Sequence, residues 1–149
     1  MTPLHEVIVN NKTTINPVWI MRQAGRYLPE FREIRKNNPN FIELCLNNKL
    51  AAEITLQPIK RFDLDAAIIF SDILMLPYGL GQKVELKKNF GPLLGNLDIT
   101  TMSKIDEVDF VEKIYQVYKA IKSVSSEMNP KNKNTIGFVG APWTLLVYM

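Results

Sequence analysis

The sequence predicts an α/β fold built from right-handed βαβ units, and three observations carry that prediction. Three short apolar runs stand apart, each too short for a buried helix: PVWIM (Pro17 to Met21), DAAIIF (Asp65 to Phe70) and TIGFVG (Thr135 to Gly140). Helical patterns fill the intervals between them. Directly after the runs come RQAGRY, SDILMLP and APWTLLVY, the most chemically loaded segments of the chain. Strand, helices, strand, helix, strand is the rhythm of an open doubly wound sheet or of a (β/α)8 barrel. In both, chemistry gathers at the carboxyl ends of the strands, so the fold would bring these three segments to one face.

The elements follow in order. The opening MTPLHEVIVNN reads as helical and contains His5, the single histidine. PVWIM is the first strand; its branched and aromatic residues suit burial on both faces, as in a parallel sheet. PEFREIRKN, FIELCLNN and KLAAEITLQPIKRF carry helical patterns, the last with Leu50, Ile54, Leu56 and Ile59 on one face and Pro58 as an interruption. After the second strand, Tyr78 to Asn96 is a glycine-punctuated excursion with a hairpin expected around KVELK. Its Gly79 and Gly81 lack the strand-then-helix setting of a dinucleotide fingerprint. The clearest helix runs from Phe110 to Met128, with Phe110, Ile114, Val117, Ile121 and Val124 at helical spacing, and Asp109 read as its cap with Glu112 three residues on. NPKNKN ends it, and Pro142 and Trp143 begin a last helix after the third strand.

Composition narrows the function. With 149 residues, 46% of them hydrophobic and 22% charged, the chain can bury a core of ordinary single-domain size. The net charge of +3 is mild and the lysines are scattered, which disfavours nucleic-acid binding. No stretch has the ~18 apolar residues of a membrane span, and the amino terminus lacks the pattern of a signal peptide, so no membrane role and a cytoplasmic location are expected. One cysteine, Cys45, excludes an internal disulfide and reads as a packed thiol. One histidine and one cysteine make no zinc site by themselves.

The dense basic stretch is MRQAGRYLPEFREIR, Met21 to Arg35, with four arginines. Arginine presents a planar fork suited to bidentate capture of carboxylate or phosphate. Arg22 and Arg26, with Gln23, Ala24 and Gly25 between them, would sit on a tight loop turned at Gly25, where two guanidinium groups can face one cavity. Arg32 and Arg35 add a second rank or pair with Glu30 and Glu33 on a solvated helix; the second reading is at least as well supported. Asp72 lies between two apolar runs, where a carboxylate needs donors or rises in pKa. It reads equally as a functional group, a helix cap or a partner of a nearby arginine. Ser71 reads as a local hydrogen-bonding residue, because no histidine stands in its part of the chain to serve as its base. Tyr148, eight residues past Gly140, presents its hydroxyl to a ligand or packs, and composition alone favours packing.

Together the runs PVWIMRQAGRYLPEFREIR, ITLQPIKRFDLDAAIIFSDIL and GFVGAPWTLLVYM resemble the uroporphyrinogen decarboxylase family of haem biosynthesis. Lys83 to Lys133 carries no motif that contributes. The resemblance implies a (β/α)8 TIM barrel acting on a cyclic tetrapyrrole with eight carboxylates. It implies removal of the carboxyl groups of four acetate arms to give coproporphyrinogen, without metal or organic cofactor. It implies substrate binding by Arg22, Gln23, Ala24, Gly25, Arg26, Asp72 and Tyr148, with Asp72, Arg22 and Tyr148 catalytic. Asp72 would accept from the pyrrole N–H groups and stabilise a cationic ring, Arg22 and Arg26 would clamp carboxylates, and Tyr148 would position the macrocycle.

A (β/α)8 barrel needs ~250 residues. The chain is therefore expected to be the amino-terminal part of a single barrel domain, residues 1–149, truncated after about three β/α units, with an open sheet edge, uncovered apolar surface and no normal activity of its own. A late histidine that the family uses has no counterpart in His5, and a homodimer is admitted for the full-length protein. Two alternatives stand: a zinc-dependent corrinoid or thiol methyltransferase of the same superfamily, and a non-catalytic tetrapyrrole-binding fragment.

Overall fold

In the computed structural model, which describes residues 1–87 and 90–149, polar side chains and prolines mark the helix starts. α1 (Pro3–Ile8) and α2 (Pro29–Asn37) begin with proline, whose fixed φ and missing N–H suit the first turn. Asn40 accepts from the amides of Ile42 and Glu43 to start α3 (Phe41–Cys45), and Asn47 accepts from Leu50 to start α4 (Asn48–Phe62). The run FIELCLNN is thus helical only to Cys45, because Asn47 begins a new helix. Pro58 lies inside α4 without breaking it, and Asp63 closes that helix in the left-handed region at φ 51°.

β1 (Ala66–Ile68), α5 (Met75–Gly79), β2 (Val84–Lys87), β3 (Gly91–Leu94) and α6 (Ile99–Met102) follow, then α7 (Glu107–Met128), β4 (Asn134–Ile136) and α8 (Pro142–Tyr148). β1 and β4 pair in parallel, with Ala66, Ala67 and Ile68 opposite Asn134, Thr135 and Ile136. The crossover between them contains α7. β2 and β3 form the hairpin expected around KVELK, pairing antiparallel from Val84 with Leu94 to Lys87 with Gly91. Lys88 and Asn89 of that excursion lie outside the described residues.

α7 starts three residues before the apolar periodicity does. Asp106 holds extended backbone and its side chain accepts from the Asp109 amide at 2.8 Å. Asp109 is therefore the residue being capped, not the cap.

The main departure concerns the first apolar run. Pro17 to Met21 forms no strand. Within that run, among the described residues, Val18 is the one tied to the sheet: its N–H donates to Asp65 Oδ2 at 2.7 Å and its carbonyl accepts from the Asp65 amide at 2.9 Å. Farther along, the edge of β1 is taken by a side chain. Gln23 Nε2 donates to the Ala66 carbonyl at 2.7 Å, and Gln23 Oε1 accepts from the Ile68 amide at 2.9 Å. The groups that Trp19 to Met21 would need for a ladder are already paired, and Val18, Ile20 and Met21 stay exposed. The architecture among the described residues is mixed α/β with one parallel strand pair, where three strands were expected.

The core forms where small strand residues let helices close in. Ala66 and Ala67 of β1 are fully buried. Ala67 and Ile69 pack with Ala52, Leu56 and Ile59 of α4 and with Val124 and Met128 of α7. Each large aliphatic side chain so buried contributes roughly 1.5–3 kcal/mol against leaving it in water. A second cluster joins Ile42 and Cys45 to Leu74, Met75, Val84 and Ile114, and a third gathers Leu28, Phe31, Leu44 and Ile54. Val139, Trp143, Leu146 and Val147 remain largely exposed, in accord with the uncovered apolar surface that the sequence leads one to expect. No helix among the described residues is long and apolar enough to cross a membrane.

Candidate functional site

β1 ends at Ile68, and the chain beyond it, Ile69 to Asp72, runs to the mouth of a hollow of about 560 Å³. Arg22, Ser71 and Asp72 supply its polar lining, against apolar walls from Trp19, Ile68 and Phe138. Segments following all three apolar runs, or belonging to them, thus meet at this hollow.

Asp72 enters the hollow partly committed. Its Oδ1 accepts from the Leu74 amide at 2.8 Å, a short turn that precedes α5. Its Oδ2 meets no donor among the described residues and is not sealed from solvent. Burial pushes the Asp72 carboxyl above the ordinary aspartate value, against the opposing effect of the Leu74 N–H. Asp72 is therefore both a local cap and a group with an unused acceptor.

Arg22 is exposed and lines the same hollow. No carboxylate lies within ion-pair range of it or of Arg26 among the described residues. Gln23 is 2% exposed, and its amide is committed at both ends to β1. The structure thus gives its side chain a role in anchoring the arginine loop. Ala24 lines a neighbouring hollow with Arg22, Gln23 and Ser71.

Gly25 does not use the freedom expected of it. Its φ lies outside the left-handed region, and an added Cβ would meet only ordinary contacts with the Tyr27 ring at 3.5 and 3.6 Å. The loop is turned instead by the Leu28 amide on the Gly25 carbonyl at 3.0 Å and by the Tyr27 hydroxyl, which donates to the Gln23 carbonyl. Tyr27 also stacks on Phe62, centroids 6.3 Å apart.

That turn separates the two arginines. Arg26 lines another hollow, with Arg35, Lys36, Leu86 and Lys87, and does not share the cavity of Asp72. The expected convergence of Arg22 and Arg26 on one cavity is corrected accordingly. Arg32 and Arg35 pair with neither Glu30 nor Glu33. Arg32 donates to the carbonyls of Arg26 and Tyr27 at 2.8 and 3.2 Å, and Arg35 to those of Asn38 and Pro39 at 2.7 and 3.2 Å. Glu30 takes Arg61 of α4 instead, in a bidentate pair at 3.2 and 3.0 Å. Burial, and secondarily the charge of Arg26, lowers the pKa of the Arg35 guanidinium.

Tyr148 sits in the last turn of α8, 45% exposed, and lines none of these arginine-bearing hollows. Its helix is nonetheless anchored close to Asp72. A Cβ on Gly140 would come within 2.8 Å of Leu145 and 3.2 Å of Ile73, so only glycine lets α8 seat against the residue after Asp72. Cys45 is the packed thiol expected, fully buried, its pKa pushed up to about 12 by burial first and by the Asp72 charge second. No cluster of three metal-ligating side chains occurs among the described residues.

Among the lining residues, sequence reasoning did not single out Trp19 or Phe138, and it read Ser71 as a local hydrogen-bonding residue. Ser71 makes no side-chain hydrogen bond among the described residues and faces the hollow. Its place beside Asp72 was the available signal, whereas Trp19 and Phe138 lie in apolar runs but outside any strand, an exposure the apolar pattern does not reveal.

These features define a class: α/β proteins with a polar-lined hollow beyond the carboxyl end of a parallel strand pair. Comparison with known proteins narrows it. The family model for uroporphyrinogen decarboxylase matches residues 1–149, and the chain belongs to that family. Relatives named uroporphyrinogen decarboxylase include that of Agrobacterium fabrum (strain C58), 46% identical over 143 residues, 95% of this chain and 41% of the relative. That of Rickettsia bellii is 50% identical over 133 residues, 89% and 39% of the two chains. That of Chelativorans sp. (strain BNC1) is 44% identical over 142 residues, 95% and 41%. The chain spans about 40% of the length of these relatives.

Proposed function

We propose that this chain carries the ring-binding part of a carboxy-lyase that converts uroporphyrinogen to coproporphyrinogen, and that it forms the first portion of a (β/α)8 barrel. The observation that supports the reading is that Arg22 and Asp72 line one hollow, where Asp72 Oδ2 has no donor among the described residues. A polyacid ring with N–H groups at its centre complements both: carboxylates for the guanidinium, pyrrole N–H for the carboxylate.

The chemical problem is the destination of an electron pair. Protonation of the pyrrole carbon beside an acetate arm creates an iminium-like cation. The C–C bond to the carboxylate then breaks, its electron pair enters the ring, and carbon dioxide leaves. The exocyclic methylene takes up a proton to become methyl while the ring carbon gives one back, so each arm consumes one proton overall. Asp72, held in place before the reaction, stabilises the cation at the ring nitrogen. Arg22 orients the departing carboxylate or supplies the proton. Arg26, in its separate hollow with Arg35 and Lys87, takes a carboxylate farther round the rim. Tyr148, carried by α8 at the Gly140 contact, positions the macrocycle.

The chain alone is expected to bind the ring and to turn over little, because the rest of the barrel completes the enclosure. Binding of uroporphyrin, followed by quenching of its fluorescence, tests this. Arg22→Ala and Asp72→Asn each weaken binding by about tenfold or more, the loss expected for one charge-assisted hydrogen bond. Unchanged affinity in both variants overturns the proposal, and brisk release of carbon dioxide from uroporphyrinogen by the 149-residue chain overturns the expectation of little turnover.

A further inference from the structure

Successive backbone amides at the end of β1 are each held by a different neighbour. The Ile68 N–H goes to Gln23 Oε1 at 2.9 Å, the Ile69 N–H to the Ile136 carbonyl at 3.0 Å, and the Phe70 N–H to Thr55 Oγ1 at 2.8 Å. The acceptors belong to the arginine loop, to the neighbouring strand's end and to α4. Of the three, Thr55 is the nearest in sequence terms to Asp72 through the group it holds.

Thr55 is 1% exposed, and its own hydroxyl proton is donated to the Ala51 carbonyl at 2.7 Å. A hydroxyl has one proton, so that donation leaves a lone pair to receive the Phe70 N–H. Phe70 is also fixed by its ring, which meets Phe31 and Phe41 edge-on with centroids 5.9 and 5.6 Å away. A threonine inside a helix gains little from bonding back to its own helix, and for packing alone valine has the same shape. The hydroxyl is accounted for by the amide it receives.

We propose that Thr55 is a positioning residue for Asp72: through the Phe70 amide it sets where the strand end stops, and hence where the carboxylate two residues later enters the hollow. The inference rests on Asp72 being the group that meets the ring, but its test needs no substrate. Without the hydroxyl, the Phe70 N–H must find water or another acceptor, and the Ser71–Asp72 segment shifts with it.

The test compares Thr55→Val with Thr55→Ser in the 149-residue chain. It follows hydrogen exchange of the Phe70 amide and the titration of the Asp72 carboxyl by carbon-detected NMR. Among the described residues, the ionisable groups near Asp72 are Arg22 across the hollow and the Cys45 thiol from α3, and neither variant alters them. Thr55→Val is expected to speed exchange at Phe70 roughly tenfold and to move the Asp72 titration toward that of a solvated aspartate. Thr55→Ser is expected to keep both as in the parent. A packing role predicts the reverse order, valine silent and serine, which lacks the methyl, damaging. An Asp72 titration unmoved in Thr55→Val, or moved as far in Thr55→Ser, overturns the proposal. If the valine variant does not fold, the serine variant decides: a parental titration supports the role and a shifted one removes it. If the order holds while uroporphyrin binding ignores Asp72, the functional reading fails and the positioning of Asp72 by Thr55 stands.

Discussion

Two apolar runs of nearly equal length, Pro17 to Met21 and Asp65 to Phe70, read alike in the sequence and fold differently. The second has a strand neighbour on one side, a glutamine side chain on the other and a threonine at its end, so every amide from Ile68 to Phe70 is paired. The first is joined to the sheet, among the described residues, only at Val18, and its branched side chains lie open to solvent. Apolarity selects segments able to form buried strands. Whether one does so depends on a free partner edge, and here Gln23 already holds the edge that the first run would use.

The largest expected effect sharpens that contrast directly. Ile69, 3% exposed between α4 and α7, loses its packing on replacement by alanine, at a cost of about 2–5 kcal/mol. Ile20, 55% exposed, costs within about 0.5 kcal/mol for the same change. Urea denaturation of the two variants separates these values by a wide margin. Comparable losses would mean that the first run is packed in solution and that the two regions do not differ as described.

Much of this was legible beforehand, for identifiable reasons. Helix periodicity in α7, the parallel pairing of the second and third runs and the hairpin at KVELK follow from local pattern and connection rules. Asp72 was legible as a conflict between charge and apolar flanks, and the structure gives it both a capping bond and an unused oxygen. The split between Arg22 and Arg26 was not legible. It depends on Tyr27 folding back onto the Gln23 carbonyl and Phe62, contacts that no spacing rule encodes. The partners of Arg32 and Arg35 were missed for a related reason, since helical spacing offered Glu30 and Glu33 while the loop carbonyls at either end of α2 lay closer.

An intermediate effect probes the side chain that replaces a strand. Gln23→Ala leaves the Ala66 carbonyl and the Ile68 amide without partners in a poorly hydrated place. The expected cost is about 2 kcal/mol, within the usual range for stranded polar groups. Arg22→Ala, one residue earlier and exposed, should leave stability within about 0.5 kcal/mol while weakening anion binding. Thermal unfolding alongside uroporphyrin binding distinguishes the neighbours. If Gln23→Ala is as stable as the parent while Trp19 to Met21 stays unpaired, the edge of β1 does not depend on Gln23, and the explanation offered for the missing strand fails.

The smallest effect concerns the cost of holding Asp72 where it is. Its folded-state pKa is raised by burial above the ordinary value of 3.8, so between those two pKa values the native chain binds more protons than the unfolded chain. The stabilising contribution is therefore fully present below 3.8 and is lost as pH rises through the folded pKa; at neutral pH the ionised carboxylate is a net strain on the fold. Asp72→Asn keeps an acceptor for the Leu74 amide and removes the charge, so it should be more stable than the parent at pH 7, with the difference shrinking as pH falls through the Asp72 transition. Measuring the parent-minus-variant difference across pH cancels the acid response of the other carboxylates. A difference that stays flat with pH would mean that Asp72 is as well hydrated folded as unfolded. A ligand whose N–H groups reach Oδ2 supplies the donors that burial withholds, so binding should strengthen as pH rises through the same transition, and a fold made less stable by Asp72 at neutral pH recovers that loss when the ring is bound.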